Sequence, residues 1–438
     1  DMQEPMELLE LPGISLDYFL RGLAGEAYQD NAVFQELYSW YLQSPEYRIL
    51  VKKLTEVSFS ERPSDKIGKT VAKILYGEIS PYSATRLERF AACAFAHFLQ
   101  YGLKVTERAE YEFRAMDMGN VMHMALEKFA AEVRKEGLDW AELTEEERNR
   151  IIDSCLDQVS ADYGNTVLKS SARNEYMIER TRRILRRTVW ALQEQLKHGA
   201  FRPEGFEVRF QGGRIDRVDI MEEPENNRVY VKVIDYKTGN TSFDLLALYH
   251  GLQLQLMVYL DGALQVEKRK YPDREIVPAG VFYYNVKDPM IQEKIHADME
   301  SINEQMLKKM KMNGLVQADD DMSTKIDSTM ASIPVSLNRD GSFSKRSSVA
   351  SRKQFDVLGA YVRRKICDIR ESILDGNAAV EPYELGKKNA CTYCPYLTVC
   401  GFDRKIPGYE FHRLSSIGEE ALWKKIMKGE EENGSEMD

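Results

Sequence analysis

The segments Gly213–Asp219 (GRIDRVD) and Ile234–Lys237 (IDYK) place two carboxylates and a lysine at the ends of two adjacent predicted strands. Side chains on a β-strand alternate between its two faces. Asp235 and Lys237 therefore share a face with the valines that precede them, and Asp216 shares a face with apolar residues that follow it. Each acid thus lies on the face that its own strand is expected to bury.

Charge on a buried strand face is unfavourable unless a cation or another partner compensates it. Two hard oxygen ligands beside one ammonium suit a divalent metal ion and an attacked phosphodiester. Asp216, Asp235 and Lys237 therefore predict a metal-dependent nuclease centre. Asp219 ranks behind Asp216, because the two face opposite ways on a regular strand. The competing interpretation is a zinc-stabilised scaffold in which the acids make only salt bridges.

Length and composition limit the class of protein. At 438 residues the chain can hold two or three domains with a sizeable core. It has no apolar run near the roughly 18 residues that span a bilayer, and no signal-peptide pattern, so a cytoplasmic protein without a membrane partner is expected. Asp1 in place of an initial Met suggests a fragment or a processed chain with a larger parent upstream.

The formal net charge of -10 argues against a surface that binds nucleic acid everywhere, although a local basic groove is compatible with it. Five arginines lie on one predicted helix: Arg180, Arg182, Arg183, Arg186 and Arg187. Among them, Arg183 and Arg187 are the candidates for DNA contacts. A solvated helix face balanced by nearby acids is the favoured interpretation of the cluster taken alone.

The pattern along the chain divides it into a helical N-terminal segment (1–78), a central α/β domain (79–405) and a C-terminal tail (406–438). Helical spacing occurs at Leu16–Leu23, Phe34–Gln43 and Arg48–Val57, at Asn120–Glu132 after a break at Gly119, and through a long region to about His198. The next predicted elements are strands Phe206–Phe210, Gly213–Ile220 and Arg228–Lys237, helix Leu245–Leu264, strand Ala279–Val286, a polar loop or mobile insert at Gln317–Asp340, and helix Phe355–Leu374. The acidic end, Glu430–Asp438, is predicted to be disordered.

Four of the six cysteines predict a metal site. The motif Cys391-x2-Cys394-x5-Cys400 brings three thiols close together, and a zinc ion or an iron–sulfur cluster needs a fourth ligand. Cys93 is the candidate, provided that the fold brings its helix against the C-terminal segment. Spacing alone does not separate zinc from iron–sulfur. Cys155 and Cys367 lie in helical patterns and are predicted to be packed thiols.

Two further features are ambiguous when taken alone. Gln255 and Tyr259 are one helical turn apart, so they share a face that could reach the acidic site or a DNA backbone. They could equally be hydrogen-bonded boundary residues of an amphipathic helix. His123 lies in the first turn of its predicted helix, and a lone histidine on a helix is more often structural than ligating.

Together these motifs resemble the RecB-type branch of the PD-(D/E)xK nucleases. The resemblance rests on Gly213–Val218, Asp235–Lys237, Gln255–Tyr259 and Gly119–His123, and extends from about Ile79 to about Asp403 with the motifs in order. Cys93 with the three C-terminal cysteines resembles the iron–sulfur variant of that branch, and the stretches Ser83–Cys93 and Phe98–Leu103 support the same variant. Ala94 departs from the family, which usually has Pro after the first cysteine, but this change leaves the ligand itself intact.

The resemblance implies an α/β fold with a restriction-endonuclease-like (PD-(D/E)xK) core, a mixed sheet flanked by helices, iron–sulfur-clamped termini and extra helical segments. It implies that Asp216 and Asp235 hold Mg²⁺ or Mn²⁺ with His123 and the backbone carbonyl of Tyr236. Lys237 would orient or help to deprotonate the attacking water, and Gln255 and Tyr259 would steady the site or the strand. Cys93, Cys391, Cys394 and Cys400 would hold a [4Fe–4S] cluster.

The resemblance also implies a biological role. That role is a DNA exonuclease that processes double-strand-break ends for recombinational repair, within an ATP-dependent helicase–nuclease of two subunits. The implied partners are DNA and the other helicase–nuclease subunit. A catalytically silent iron–sulfur module that binds DNA ends is the alternative. The set of Asp216, Asp235 and Lys237 weighs against it, since a pure binder has no need of that combination.

Overall fold

The computed structural model describes residues 12–24, 32–58, 66–77, 83–106, 115–163, 171–291, 298–319, 321–406 and 408–434. The chain forms two compact units. The first unit, Asp1–Ser64, contains α1 (Pro12–Ala24), α2 (Ala32–Gln43) and α3 (Arg48–Ser58), which match the three helices predicted there. Phe19, Tyr41 and Val51 are fully buried between these helices and form a small core.

The second unit, Asp65–Asp438, is built on a six-stranded sheet with the order β1-β2-β3-β4-β5-β6. Its strands are β1 (Arg202–Phe210), β2 (Gly213–Glu223), β3 (Arg228–Lys237), β4 (Glu275–Asn285), β5 (Asn313–Gln317) and β6 (Val349–Ala350). The first three strands pair antiparallel, β3 and β4 pair parallel, β4 and β5 antiparallel, and β5 and β6 parallel. The predicted α/β fold with a mixed sheet flanked by helices is therefore confirmed.

The helices of the second unit flank the sheet and follow one another along the chain. They are α4 (Lys69–Tyr76), α5 (Ala84–Ala92), α6 (Ala94–His97), a π-helical turn (Phe98–Gly102), α7 (Ala115–Lys135), α8 (Glu145–Asp162), α9 (Ala172–Lys197), α10 (Leu245–Tyr249), α11 (Gln255–Lys270), α12 (Met299–Lys309), α13 (Met322–Ile326), α14 (Arg352–Leu374), α15 (Leu397–Cys400) and α16 (Glu419–Gly434). A second, small sheet contains β7 (Tyr383–Leu385), β8 (Lys388–Asn389) and β9 (His412–Arg413). Within the described residues, the search for a helix long and apolar enough to cross a membrane found none.

Strand β3 is buried on both faces, and its alternation separates two cores. Tyr230, Ile234 and Tyr236 enter a core that also contains buried residues of α7, α8 and α9. The valines at 229, 231 and 233 enter a second core with residues of α11 and α14. A strand covered on both faces has a nearly continuous apolar run, as the sequence of β3 does. The parallel pair β3–β4 needs a crossover connection, which α10 and α11 supply.

The division between the two units lies between Ser64 and Asp65, earlier in the chain than the predicted boundary at 78/79. The reason is that α4 packs into the larger unit, where Ala72 and Tyr76 are buried in the second core. Helix α16, in the predicted C-terminal tail, buries Leu422, Trp423 and Ile426 in the same core. The predicted disorder at 430–438 is wrong as far as Gly434, where α16 ends, and the last four residues lie outside the described residues.

The predicted break at Gly119 is also wrong, because α7 continues through this residue and places His123 well inside the helix. A Cβ at Gly119 would lie 3.2 Å from the Thr238 hydroxyl oxygen. Glycine therefore permits a close approach of α7 to the residue that follows β3. The long helical region before His198 is two helices, and Thr144 and Ser171 cap their N-termini.

Two predicted segments after β3 differ from the structure. The helix predicted at Leu245–Leu264 is interrupted at Gly251, which has a φ of 79°, so Gln255 opens a new helix. The stretch Gln317–Asp340 is no polar loop, because Met322, Ile326, Ile333 and Val335 are buried in the first core. Asp327 accepts hydrogen bonds from Thr329 and Ser332 and so satisfies polar groups locally. Apolar residues at irregular spacing leave no periodic signal.

Candidate active site and thiol centre

The ends of β2 and β3 bring Asp216, Asp235 and Lys237 together. The antiparallel register sets Arg217 opposite Ile234, so Asp216 and Asp235 are neighbours across the two strands. Asp216 Oδ2 accepts a hydrogen bond from the Tyr236 backbone N–H at 2.7 Å. The Lys237 ammonium lies 2.6 Å from Asp235 Oδ2. The three residues of the predicted motif therefore occupy one site.

Both carboxyl groups have a raised pKa. Burial holds the pKa of Asp216 well above its usual range, and the neighbouring Asp235 charge raises it further. Burial also raises the pKa of Asp235, while the ion pair with Lys237 opposes that effect. Buried carboxylates that repel each other favour a bound cation, since one positive ion would offset both charges.

Three possible metal ligands meet at the Asp216 side of the site. His123 Nδ1 lies 3.4 Å from Asp216 Oδ2. Ligand atoms of His123, Glu207 and Asp216 all lie within 4.8 Å of one another. Burial, with the nearby Lys237 charge, lowers the pKa of His123 to about 4. Its imidazole is therefore neutral near pH 7, which is the form that binds metal ions.

Glu207 is a site residue that the sequence analysis missed. It lies on β1, its side chain is 8% exposed, and it forms an ion pair with Arg214. Burial raises the pKa of Glu207 to about 6. Its φ of 49° is unusual for a non-glycine residue and interrupts the regular alternation of the strand. The only signal in the sequence was a single acid within the apolar strand Phe206–Phe210.

Gln255 and Tyr259, in the first turns of α11, face the site. Lys237 Nζ donates a hydrogen bond to Gln255 Oε1 at 2.7 Å. Gln255 Nε2 donates to the Tyr259 hydroxyl at 2.8 Å. The predicted pair is therefore joined to the lysine of the motif.

Glu88, on α5, is the second residue that the sequence analysis missed. Its Oε1 accepts hydrogen bonds from the backbone N–H groups of Leu254 and Gln255, at 2.7 and 2.9 Å. Burial raises the pKa of Glu88 to about 7, and these two N–H donors oppose the effect. Its signal in the sequence was weak, since one acid on an amphipathic helix is ordinary.

Asp219 lies on the opposite face of β2, as strand alternation predicts. It is fully buried, with Arg217 Nε at 2.6 Å and Lys232 Nζ at 2.9 Å. Burial alone would raise the pKa of Asp219, but the charges of Arg217 and Lys232 hold it below its usual value. This network belongs to the first core and not to the cluster around Asp216.

Arg183 and Arg187, the candidates for DNA contacts, both contact Asp288, with N–O distances of 2.6 and 3.3 Å. Asp288 follows β4, whose last residue Asn285 pairs with Lys237. The two arginines therefore lie near the active-site end of the sheet, but a carboxylate already balances them. Their role in DNA binding stays a prediction.

All four cysteines of the predicted metal site line one small apolar cavity. Cys93 lies between α5 and α6, while Cys391, Cys394 and Cys400 lie in or just before α15. The fold thus brings Cys93 to the three C-terminal cysteines. Cys155 is buried, as predicted for a packed thiol. Cys367 is exposed on α14, so that part of the prediction is wrong.

The spacing of these thiols differs from that of a zinc site. A tetrahedral zinc ion with Zn–S bonds of about 2.3 Å holds its sulfur atoms about 3.8 Å apart. In the part of the chain that the structure describes, no three of the four Sγ atoms lie within 4.8 Å of one another. Burial raises the pKa of Cys93, and raises that of Cys391 to about 11, with the neighbouring thiols adding to both effects. Four buried thiols around one wider cavity fit an iron–sulfur cluster better than a single small ion.

Comparisons with known proteins agree with this geometry. Residues 81–401 match the sequence profile of the PD-(D/E)XK nuclease superfamily. The chain is 39% identical to AddB, the B-type subunit of an ATP-dependent helicase/deoxyribonuclease, from Lachnoclostridium phytofermentans, over 95% of this chain and 38% of the relative. It is 34% identical to the protein of that name from Thermoanaerobacter pseudethanolicus, over 93% and 37% of the two chains. The corresponding protein from Alkaliphilus metalliredigens is 33% identical over 98% and 39%. The chain therefore spans well under half the length of these relatives.

Proposed function

Because this chain belongs to the PD-(D/E)XK nuclease superfamily, we propose that it is a metal-dependent deoxyribonuclease that hydrolyses the phosphodiester bonds of DNA. The observation that carries the proposal is the series of contacts from Asp235 through Lys237 and Gln255 to Tyr259, beside Asp216. An acid pair suited to a cation and a lysine held in one direction are what phosphodiester hydrolysis requires.

Asp216, Asp235 and His123 would hold Mg²⁺ or Mn²⁺, with the Tyr236 backbone carbonyl as a further ligand. Glu207 is close enough to His123 and Asp216 to join this set. Carboxylate and carbonyl oxygens suit these hard ions, and the raised pKa of Asp216 reflects repulsion that a cation would relieve. When bound, such an ion would stabilise charge on the phosphate and acidify a bound water.

Lys237 is placed to act on water and phosphate. Its ammonium is held between Asp235 Oδ2 and Gln255 Oε1, at 2.6 and 2.7 Å. The amide of Gln255 has a defined orientation, because its oxygen accepts from Lys237 while its nitrogen donates to Tyr259. We expect the ammonium to offset negative charge on the phosphate and to orient, or help to deprotonate, the attacking water.

The second part of the proposal is that Cys93, Cys391, Cys394 and Cys400 hold a [4Fe–4S] cluster. Its support is the set of four converging thiols, with a spacing wider than that of a zinc site. The cluster would be structural, because it would join α5 to the C-terminal segment across nearly the whole nuclease domain. Zinc would join the same segments but would draw the sulfur atoms closer together.

The relatives support a wider role for this chain. They carry the name AddB, as components of an ATP-dependent helicase/deoxyribonuclease. We place this chain in the same kind of assembly, with DNA and an AddA-like helicase–nuclease protein as partners. There it would act as an exonuclease on the ends of double-strand breaks during recombinational repair, in the cytoplasm where bacterial DNA lies. The complete complex would confer ATP dependence.

The proposal is tested by anaerobic purification with iron and sulfide analysis, followed by assays on single-stranded and duplex DNA. We expect a brown protein with about four iron and four sulfide ions per chain. Cleavage should require Mg²⁺ or Mn²⁺ and stop when the metal is chelated. Binding of DNA ends without cleavage, with any divalent metal, would support the catalytically silent module instead. A colourless protein that contains zinc would contradict the cluster.

A further inference from the structure

The N-terminus of α11 is capped by a carboxylate from a distant part of the chain. Leu254 precedes the helix and offers no side-chain cap of its own. Instead, Glu88 Oε1 accepts the backbone N–H groups of Leu254 and Gln255, at 2.7 and 2.9 Å. The first N–H groups of a helix lack partners within it, and negative charge is favourable at this positive end of the helix dipole. Glu88 therefore fixes where α11 begins.

The residue whose backbone is fixed in this way also holds the lysine of the site. Gln255 presents its side-chain oxygen to Lys237 and its side-chain nitrogen to Tyr259. A shift at the start of α11 would move this amide away from the ammonium. The position of Lys237 thus depends on Glu88 through one intervening residue.

The helix that carries Glu88 also reaches the thiol centre. Arg89, the next residue, donates from Nη2 to Cys394 Sγ at 3.9 Å, and its guanidinium lies 5.6 Å from the ring centre of Tyr396. Cys93 follows the end of α5 directly. One short helix therefore contacts the catalytic lysine's support on one side and the thiol centre on the other.

We propose that Glu88 is a positioning residue for Lys237, which fixes the start of α11 so that Gln255 holds the ammonium in the active site. This inference rests on the nuclease function proposed above. Glu88 acts on the rate of the chemical step and not on metal binding, because it contacts the backbone of α11 and none of the proposed metal ligands. Through α5 it also connects the thiol centre to the catalytic lysine.

The test compares Glu88→Ala with Glu88→Gln in the full chain, with Thr85→Ala as a control on an exposed position of the same helix. Glu88→Ala should lower kcat by about 100-fold, the cost of a small misplacement of a catalytic group, while KM for DNA and iron content stay near wild type. Glu88→Gln should restore most of kcat, because its amide oxygen can accept the same two N–H groups. Thr85→Ala should leave kcat unchanged.

A second measurement tests the positioning without catalysis. Hydrogen–deuterium exchange at Leu254 and Gln255, without DNA or metal, should become about tenfold faster in Glu88→Ala but not in Glu88→Gln. Unchanged exchange in Glu88→Ala, or equal loss of kcat in both variants, would overturn the inference. Asp235→Ala separates it from the proposed function. If that variant still cleaves DNA, the nuclease assignment fails, while the exchange measurement still decides the role of Glu88.

Discussion

Among the individual residues, β2 and β3 carry two separate networks of compensated charge. On one face Asp235 pairs with Lys237 beside Asp216. On the other face Asp219 pairs with Arg217 and Lys232 in the first core. The first network leaves carboxyls with a raised pKa that a cation would relieve, whereas the second already has its cations. One network is therefore suited to chemistry and the other to stability.

Lys237→Ala tests the role of the ammonium. We expect cleavage to slow by about 10²- to 10⁴-fold, the range for loss of a positioned proton-transfer group, with the affinity for Mn²⁺ largely intact. The separation is expected because the ammonium acts on water and phosphate and not on the metal ion. Single-turnover cleavage rates and calorimetric Mn²⁺ titration measure the two effects. Lys345→Ala, at an exposed lysine, is the matched control. Loss of Mn²⁺ binding without a separate rate defect would show that this role is wrong.

Asp219→Asn should have the opposite pattern. Removing its charge leaves the buried Arg217 and Lys232 uncompensated, and breaking a buried ion pair costs about 3–5 kcal/mol of stability. The free energy of unfolding, from denaturant titration, should fall by that amount, while the Mg²⁺ dependence of cleavage stays the same. Asp162→Asn, at an exposed aspartate of α8, should change neither. An altered Mg²⁺ requirement in Asp219→Asn would place this residue in the metal site instead.

Among the helices and strands, the sequence predicted what local pattern controls. The bounds of β3 were predicted as Arg228–Lys237, and Asp235 and Lys237 lie on the predicted face, because side-chain alternation is a local property. Glu88 was missed because its contact with Leu254 spans 166 residues. Glu207 was missed because its positive φ departs from strand geometry.

The same distinction explains the errors in secondary structure. Gly119 has the composition of a helix break but is needed for a close contact with Thr238, which only the tertiary structure shows. The packed segment between β5 and β6 has neither strand nor helix period, so its polar composition was the stronger signal. Long-range packing decided each of these cases.

Cys93→Ala tests how the thiol centre joins α5 to the C-terminal segment. We expect loss of iron and a decrease of about 3 kcal/mol or more in the free energy of unfolding, as for removal of a ligand present at about 100 times its dissociation constant. Iron analysis and thermal melting measure both effects. Cys155→Ala and Cys367→Ala should keep full iron content with modest stability changes. Retention of iron and wild-type melting in Cys93→Ala, with loss of both in a control, would show that the ligand set is incorrect.

Across the larger unit as a whole, the active site lies where both cores and the thiol centre meet. Helix α7 brings His123 from the first core, and α11 brings Gln255 from the second. Helix α5 then joins α11 to the thiol centre through Glu88 and Arg89. The site is therefore assembled from segments that are far apart in sequence, and its geometry depends on the whole unit being folded.

If Asp216 and Asp235 hold a metal ion that DNA cleavage requires, Asp235→Ala should remove that activity from a folded protein. The substitution removes one ligand and also relieves the buried repulsion that raises the pKa of Asp216. We predict that cleavage is abolished at saturating Mg²⁺, while the circular dichroism spectrum and iron content match wild type. Cleavage within a few-fold of wild type at saturating Mg²⁺, by a correctly folded variant, would show that these two acids do not hold the catalytic metal.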